Sequence, residues 1–249
     1  MKALITGASS GIGTDIARVL SNEGIDLILV ARRGKKLEKL KKELNTDVKV
    51  IEMDISSTYN CMELYNKVKK DDIDILVNNA GFGICDNFTD IKIDKELDMI
   101  DLNVKALQTL TKLFLKDFKK KDQGYILNVA SSAAFMPGPL MASYYATKAY
   151  VLRLSEAIYE ELKKEESNVS ISVLCPGPVN TEFNKVAKVN FSVKAMDSMT
   201  VAEYAVKKMF DEKLVIIPGI KMKLAVFFSR FVSTKLLLKI IYKIQEKKR

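Results

Sequence analysis

A doubly wound α/β fold, a seven-stranded parallel sheet with helices on both faces, is predicted by three features of this 249-residue sequence. Short unbroken runs of Val, Ile and Leu recur along it, helical patterns separate those runs, and a glycine-rich turn joins the first run to the first helical pattern. Continuously apolar strands belong to a sheet buried on both sides, and helices between them make the crossovers of parallel pairing. Right-handed crossovers then place helices on both faces.

The elements follow in order. KALIT (2–6) reads as a short buried strand, and Ile12, Ile16, Val19 and Leu20 share one face of a helix over 12–23, with Gly24 as its stop. DLILVA (26–31) is the second strand, and Leu37, Leu40 and Leu44 mark the second helix. VKVIEM (48–53), DILVNN (74–79), YILNVA (125–130), VSISVLC (169–175) and LVIIP (214–218) complete the set of seven. Helices fill 57–70, 94–119 and 143–166, and Thr200-Val-Ala-Glu203 has the spacing of a capping box opening another over 201–211. No linker, low-complexity tract or internal repeat divides the chain.

Composition narrows the function. Hydrophobic residues make up 48%, enough for a large core. The net charge of +9 comes from lysines spread along the chain, with clusters at 35–42, 116–121 and 235–249; these read as solvated helix faces, so no nucleic-acid partner is expected. Three cysteines without a CxxC pair predict no disulfide framework and a reducing, cytoplasmic setting. MKALITG reads as a strand rather than a signal peptide, and no window is apolar for long enough to span a membrane. The absence of histidine excludes a Ser-His-Asp triad, a Cys-His pair and His-ligated zinc. Any proton chemistry must come from Tyr, Lys, Cys or carboxylates.

Ligands of doubly wound folds bind beyond the carboxyl ends of the strands. The first such end is TGASSGIG (6–13). Gly7, Gly11 and Gly13 let a pyrophosphate approach the main chain, and the helix amino terminus adds unpaired N–H groups and partial positive charge. The second strand ends in Arg32-Arg33, where a ribose 2′-hydroxyl would want an acidic acceptor. A guanidinium suits a 2′-phosphate, so NADP(H) is favoured over NAD(H).

The fifth strand ends in Ser131-Ser132, and Tyr144 and Lys148 follow at helical i,i+4 spacing. An ammonium beside a phenol favours the phenolate, which makes a Tyr–Lys pair an acid/base device without histidine. Spacing alone leaves Tyr145 open as the acting tyrosine.

With these residues in place, the chain resembles the short-chain dehydrogenase/reductase family of the GxxxGxG, YxxxK type. The matches are TGASSGIG, Asp54-Ile55, Asn78-Asn79-Ala80-Gly81, Asn103, Ser131, Tyr144-x-x-x-Lys148, and Pro176-Gly177 followed by Thr181. The resemblance implies one Rossmann-type catalytic domain over 1–220, extended by a basic, apolar helical segment at 221–249. It implies that Tyr144, rather than Tyr145, is the acid in reduction and the base in oxidation. Lys148 would bind the nicotinamide ribose and lower the tyrosine pKa, Ser131 would hold the substrate carbonyl, and Asn103 would hold a water in a proton relay. Gly7, Ser9, Ser10, Gly11, Ile12 and Gly13, with Arg32 and Arg33, would cradle the phosphates. Asp54 and Ile55 would meet the adenine; Asn79, Ala80 and Gly81 would line the cofactor by main chain. Val179 and Thr181 would meet the carboxamide end, and Pro176 and Gly177 would also bind the cofactor. The expected activity is hydride transfer between nicotinamide and a fairly apolar ketone, 3-oxoacyl compound or secondary alcohol, by a homodimer or homotetramer and with no metal. The alternative is a non-catalytic nucleotide-binding regulator, which has no need of Asn103, Ser131, Tyr144 and Lys148 together.

Residues 182–199 are expected to cover the substrate, with Phe183, Phe191, Met196 and Met199 as an apolar lid. The C-terminal stretch places Lys235, Lys239 and Lys243 at i, i+4, i+8 on an apolar helix. Three roles are open to it: contact with an anionic membrane surface, packing on a partner subunit, or a roof over the substrate.

Overall fold

The seven expected strands are β1 (Lys2–Thr6), β2 (Asp26–Ala31), β3 (Val48–Glu52), β4 (Ile75–Asn78), β5 (Gly124–Val129), β6 (Val169–Leu174) and β7 (Val215–Ile216). This computed structural model describes residues 1–187 and 195–247. All strand pairs are parallel, in the order β3-β2-β1-β4-β5-β6-β7. The order reverses between β1 and β4, which opens a crevice at their carboxyl ends. The glycine-rich turn and the Asn79-Ala80-Gly81 segment flank it. β7, at the sheet edge beside β6, keeps only two paired residues.

The helices are α1 (Gly11–Asn22), α2 (Gly34–Lys41), α3 (Thr58–Val68), α4 (Ile93–Ile100), α5 (Leu107–Lys121), α6 (Ala142–Lys164), α7 (Phe183–Val186), α8 (Ser198–Phe210), α9 (Ile220–Ser229) and α10 (Thr234–Glu246). One apolar core joins the sheet to α1, α2 and α8 through residues such as Ile16, Leu20, Leu37 and Val201. A second, on the opposite face, joins it to α3 and α5 through Leu64, Leu110, Phe114 and Phe118. Alternate residues of each strand feed the two layers, so the strands read as unbroken apolar runs.

Three expectations need correction. The helix expected over 94–119 is α4 and α5 joined by a π-helical turn, Asp101–Ala106, which carries Asn103. A π turn is a single-turn insertion within an α-helix, too short for the apolar spacing over 94–119 to set it apart. α8 begins at Ser198, with the Asp197 carboxylate accepting from Thr200 N–H at 3.1 Å; Thr200 is inside the helix and is not its cap. The last stretch is two helices, α9 and α10, with the break at 230–233.

A buried polar chain fixes α6 behind the site. Asn78 Nδ2 donates to Asn128 Oδ1 at 2.9 Å and to Thr111 Oγ1 at 3.0 Å, and Asn128 Nδ2 donates to Ser155 Oγ at 3.0 Å. The links tie β4, α5, β5 and α6 together. Asn128→Leu takes a partner from Asn78 and strips Ser155 Oγ of its donor. It is expected to cost about 1–3 kcal/mol, read as a lower denaturant midpoint at unchanged slope.

Candidate active site

The turn after β1 is shaped by residues that only glycine can replace. Gly7 and Gly11 have φ of +67° and +57°, in the left-handed region that side chains disfavour. A Cβ at Gly7 would lie 2.8 Å from Ala80 Cα, and one at Gly11 would lie 2.9 Å from Thr181 Cγ2. Asn79 staples the turn from the β4 side: its amide donates to Thr6 O at 3.1 Å and Gly7 O at 3.2 Å. Gly13 sits beneath this staple, where a Cβ would meet the Asn79 amide and lie 2.7 Å from Gly7 O. The turn is thus held open as a cradle at the start of α1, the arrangement that accepts a phosphate group.

One cleft of about 1310 Å3 takes in every catalytic and cofactor-binding residue expected from the sequence except Gly13 and Asn103. Gly13 supports the cradle from below. Asn103 is buried, with its Oδ1 accepting from Phe82 N–H at 3.0 Å and its Nδ2 donating to Phe82 O at 2.9 Å and Thr147 Oγ1 at 3.2 Å. These bonds hold the loop after β4 against α6.

At the adenine end of such a cleft, Arg33 does more than Arg32. Its guanidinium donates to Ser9 Oγ at 2.9 Å and Ser10 Oγ at 2.8 Å, and pairs with Glu182 at 2.7 Å. Lys36, one turn along α2, pairs with the same carboxylate at 2.5 Å. The two cations, Lys36 first, hold the Glu182 carboxyl down at about 2. Arg32 is exposed and lies 3.8 Å from Asp54 Oδ2.

Tyr144 is buried, its ring packed against Phe183 at 5.4 Å. Lys148 Nζ lies 5.9 Å from the Tyr144 ring centroid and donates to Val129 O at 2.9 Å. The sequence expectation was a phenol lowered by the ammonium. Here burial dominates and raises the Tyr144 pKa, while the neighbouring Ser131 hydroxyl pulls it down. Burial also brings the Lys148 ammonium down to about 8. Tyr145 is occupied elsewhere: Gln245 of α10 donates to its hydroxyl, and burial pushes its pKa up to about 12. The geometry therefore separates two tyrosines that spacing left equivalent.

A model of the short chain dehydrogenases matches residues 1–190. The chain belongs to the short-chain dehydrogenase family. An uncharacterized oxidoreductase of Staphylococcus epidermidis is 34% identical to it over 185 residues, 74% of this chain and 80% of that one. Human 17-beta-hydroxysteroid dehydrogenase type 3 is 33% identical over 202 residues, 78% of this chain and 64% of that protein. Among solved structures, a short-chain dehydrogenase from Sphingobium yanoikuyae in complex with NADPH is similar with a TM-score of 0.83 and 29% identity, covering 92% of this chain and 93% of that one.

In this short-chain dehydrogenase the substrate cover differs from the sequence expectation. Phe183 lines the cleft, but Met196 forms a bridge with Val179 and packs into the core instead. Met199 lies in the first turn of α8 and is not on the cleft wall; Phe191 lies outside the described residues. The cover is completed by the C-terminal helices, which bring Met222, Phe228, Leu237 and Ile241 to the cleft. Of the three roles open to that segment, the third is the one its place on the cleft wall fits. Glu182, Lys36 and Gln245 were missed by the sequence reading. Lys36 had a signal, its i,i+3 spacing from Arg33. Glu182 and Gln245 had none, since each meets its partner across the fold.

Proposed function

We propose that this chain is a cytoplasmic NADP(H)-dependent oxidoreductase acting on a fairly apolar ketone or 3-oxoacyl compound, or on the matching secondary alcohol, as a homodimer or homotetramer. One observation carries the reading: Ser131, Tyr144 and Lys148 stand in the same cleft as the glycine cradle and Arg33. Bound coenzyme would supply or accept the hydride at the carbonyl carbon. Ser131 hydrogen-bonds the carbonyl oxygen, and Tyr144 gives that oxygen its proton as negative charge develops there. Its raised pKa keeps the phenol protonated, the form a reduction requires. Lys148 in its ammonium form stabilises the phenolate left behind and holds the ribose. Ser9, Ser10 and Arg33 take the 2′-phosphate. The NADPH-bound Sphingobium structure and the relationship to a human hydroxysteroid dehydrogenase support the coenzyme and the apolar substrate class.

The test is a panel of ketones, including steroid-like and 3-oxoacyl compounds, followed by NADPH absorbance. Saturable turnover is expected, with kcat/KM higher for NADPH than for NADH. The reduction rate should fall as pH rises through about 8, because Lys148 is cationic below that value and neutral above it. NADPH binding with no turnover across the panel would favour a non-catalytic regulator instead.

A further inference from the structure

The outer surface of the C-terminal helices is apolar where a soluble domain is normally polar. On α9, Ile220, Leu224 and Phe227, continued by Phe231 just beyond it, recur at i, i+4, i+7 and i+11, and they are 76, 50, 52 and 74% exposed. Phe227 packs on Phe228 at 5.4 Å and on Phe231 at 5.3 Å, so the stripe is a continuous aromatic ridge. On α10, Leu236, Ile240 and Ile244 form a second exposed stripe at i, i+4, i+8. Patches of this kind mark contact with something apolar.

Cations run beside both stripes in the same phase. Lys223 and Arg230 each precede a stripe residue of the first helix by one position; Lys235, Lys239 and Lys243 do so for every stripe residue of the second. One residue is about 100° of helical rotation, which puts each cation at the flank of its apolar row. Residues 213–245 contain no Asp or Glu. Among the described residues, no helix is long and apolar enough to cross a membrane.

We infer that α9 and α10 dock on the surface of an anionic lipid bilayer and that a lipophilic substrate enters the cleft from it. Phe227, Phe231 and Leu236 enter the boundary between headgroups and acyl chains, while Arg230, Lys235, Lys239 and Lys243 reach up to phosphate groups; Lys223 instead donates to the Tyr204 hydroxyl at 2.9 Å. A second copy of this chain fits worse, since symmetric pairing sets like-charged rows against each other and residues 213–245 supply no carboxylate to offset them. Phe228, Ile240 and Ile244 are exposed and also line the cleft, so its rim is continuous with the docking face. The entry route rests on the proposed reductase reading; the docking does not.

The chain has no tryptophan, so Phe231→Trp gives a single reporter. Its emission should shift to the blue with phosphatidylcholine–phosphatidylglycerol vesicles and stay unchanged with phosphatidylcholine alone. Co-sedimentation of the natural chain should drop by about tenfold or more in high salt. The double variant Phe227→Ser/Phe231→Ser should lose vesicle binding while turning over a water-soluble ketone at the natural rate; its turnover of a ketone dissolved in the vesicles should fall. No blue shift on anionic vesicles, or equal sedimentation of the double variant, overturns the docking. Smaller oligomers in the double variant, with no lipid binding by the natural chain, assign the face to a second copy. Vesicle binding by the natural chain and not by the double variant, with equal turnover of the vesicle-held ketone by both, overturns the entry route alone. The soluble-ketone assay reports separately on the reductase reading.

Discussion

Tyr144→Phe is expected to lower kcat for ketone reduction by about 10²–10⁴-fold, the span of a lost general acid, with the Kd for NADPH little changed. The substitution removes one oxygen and leaves the ring. That ring supplies the packing, against Phe183 at 5.4 Å and Tyr145 at 6.1 Å, so the fold and the cleft wall should survive. Unfolding midpoints within error of the natural chain would establish this. Tyr145→Phe is the paired control. It loses the hydrogen bond from Gln245 and loosens the roof, but it takes no proton donor from the reacting oxygen. Its effect belongs in KM more than in kcat. If Tyr145→Phe proved the more damaging in kcat, the acid would be misassigned. The contrast is informative because the two residues are adjacent and chemically identical; Tyr144 is buried, Tyr145 is half-buried, and their partners differ.

That contrast also marks how far the sequence could be read. Seven strands were legible because parallel strands buried on both sides spell themselves as apolar runs, and β1 through β6 lie within about two residues of their expected bounds. Most of the site was legible for a related reason. Residues at strand ends, such as Gly7, Asn79, Ser131 and Thr181, inherit their position from the strand order, so locating the strands locates them. What escaped depends on contacts between distant segments or on backbone detail. The π turn around Asn103 is too short to stand out in the pattern of side chains. Met196 looked like a lid residue until its bridge to Val179 turned it inward. The basic stripe of α10 was plain, but its buried face, Ile241 and Gln245, acquires meaning only from the cleft it closes. The phenol showed a further gap. An ammonium nearby lowers a phenol's pKa, but how much burial opposes it depends on a neighbourhood drawn from several elements.

Arg33→Ala should weaken NADPH binding by about ten- to a hundredfold and leave NADH binding nearly unchanged, whereas Arg32→Ala should have the smaller effect. Charge-assisted hydrogen bonds are worth about 1.5–3 kcal/mol, which is the source of that range. The difference between the arginines follows from their surroundings. Arg33 is already aimed at the cradle by Ser9 and Ser10, so little rotamer freedom remains to be lost on binding. Arg32 projects into solvent beside Asp54 and must be ordered first. Arg33 and Lys36 share a carboxylate, however, and Glu182 competes for the cations that a 2′-phosphate would use. Glu182→Gln keeps the shape and removes the competing charge, so it should tighten NADPH more than NADH. The pairs are largely exposed, which limits the gain to severalfold. In the Arg33→Ala background much of the gain from Glu182→Gln should vanish, because its principal guanidinium partner is gone. Equilibrium titrations of NADPH and NADH against the four proteins form a double-mutant cycle that measures this coupling directly. Additive effects would mean that Glu182 and the phosphate do not compete, and an unchanged NADPH affinity in Arg33→Ala would place the phosphate on other residues.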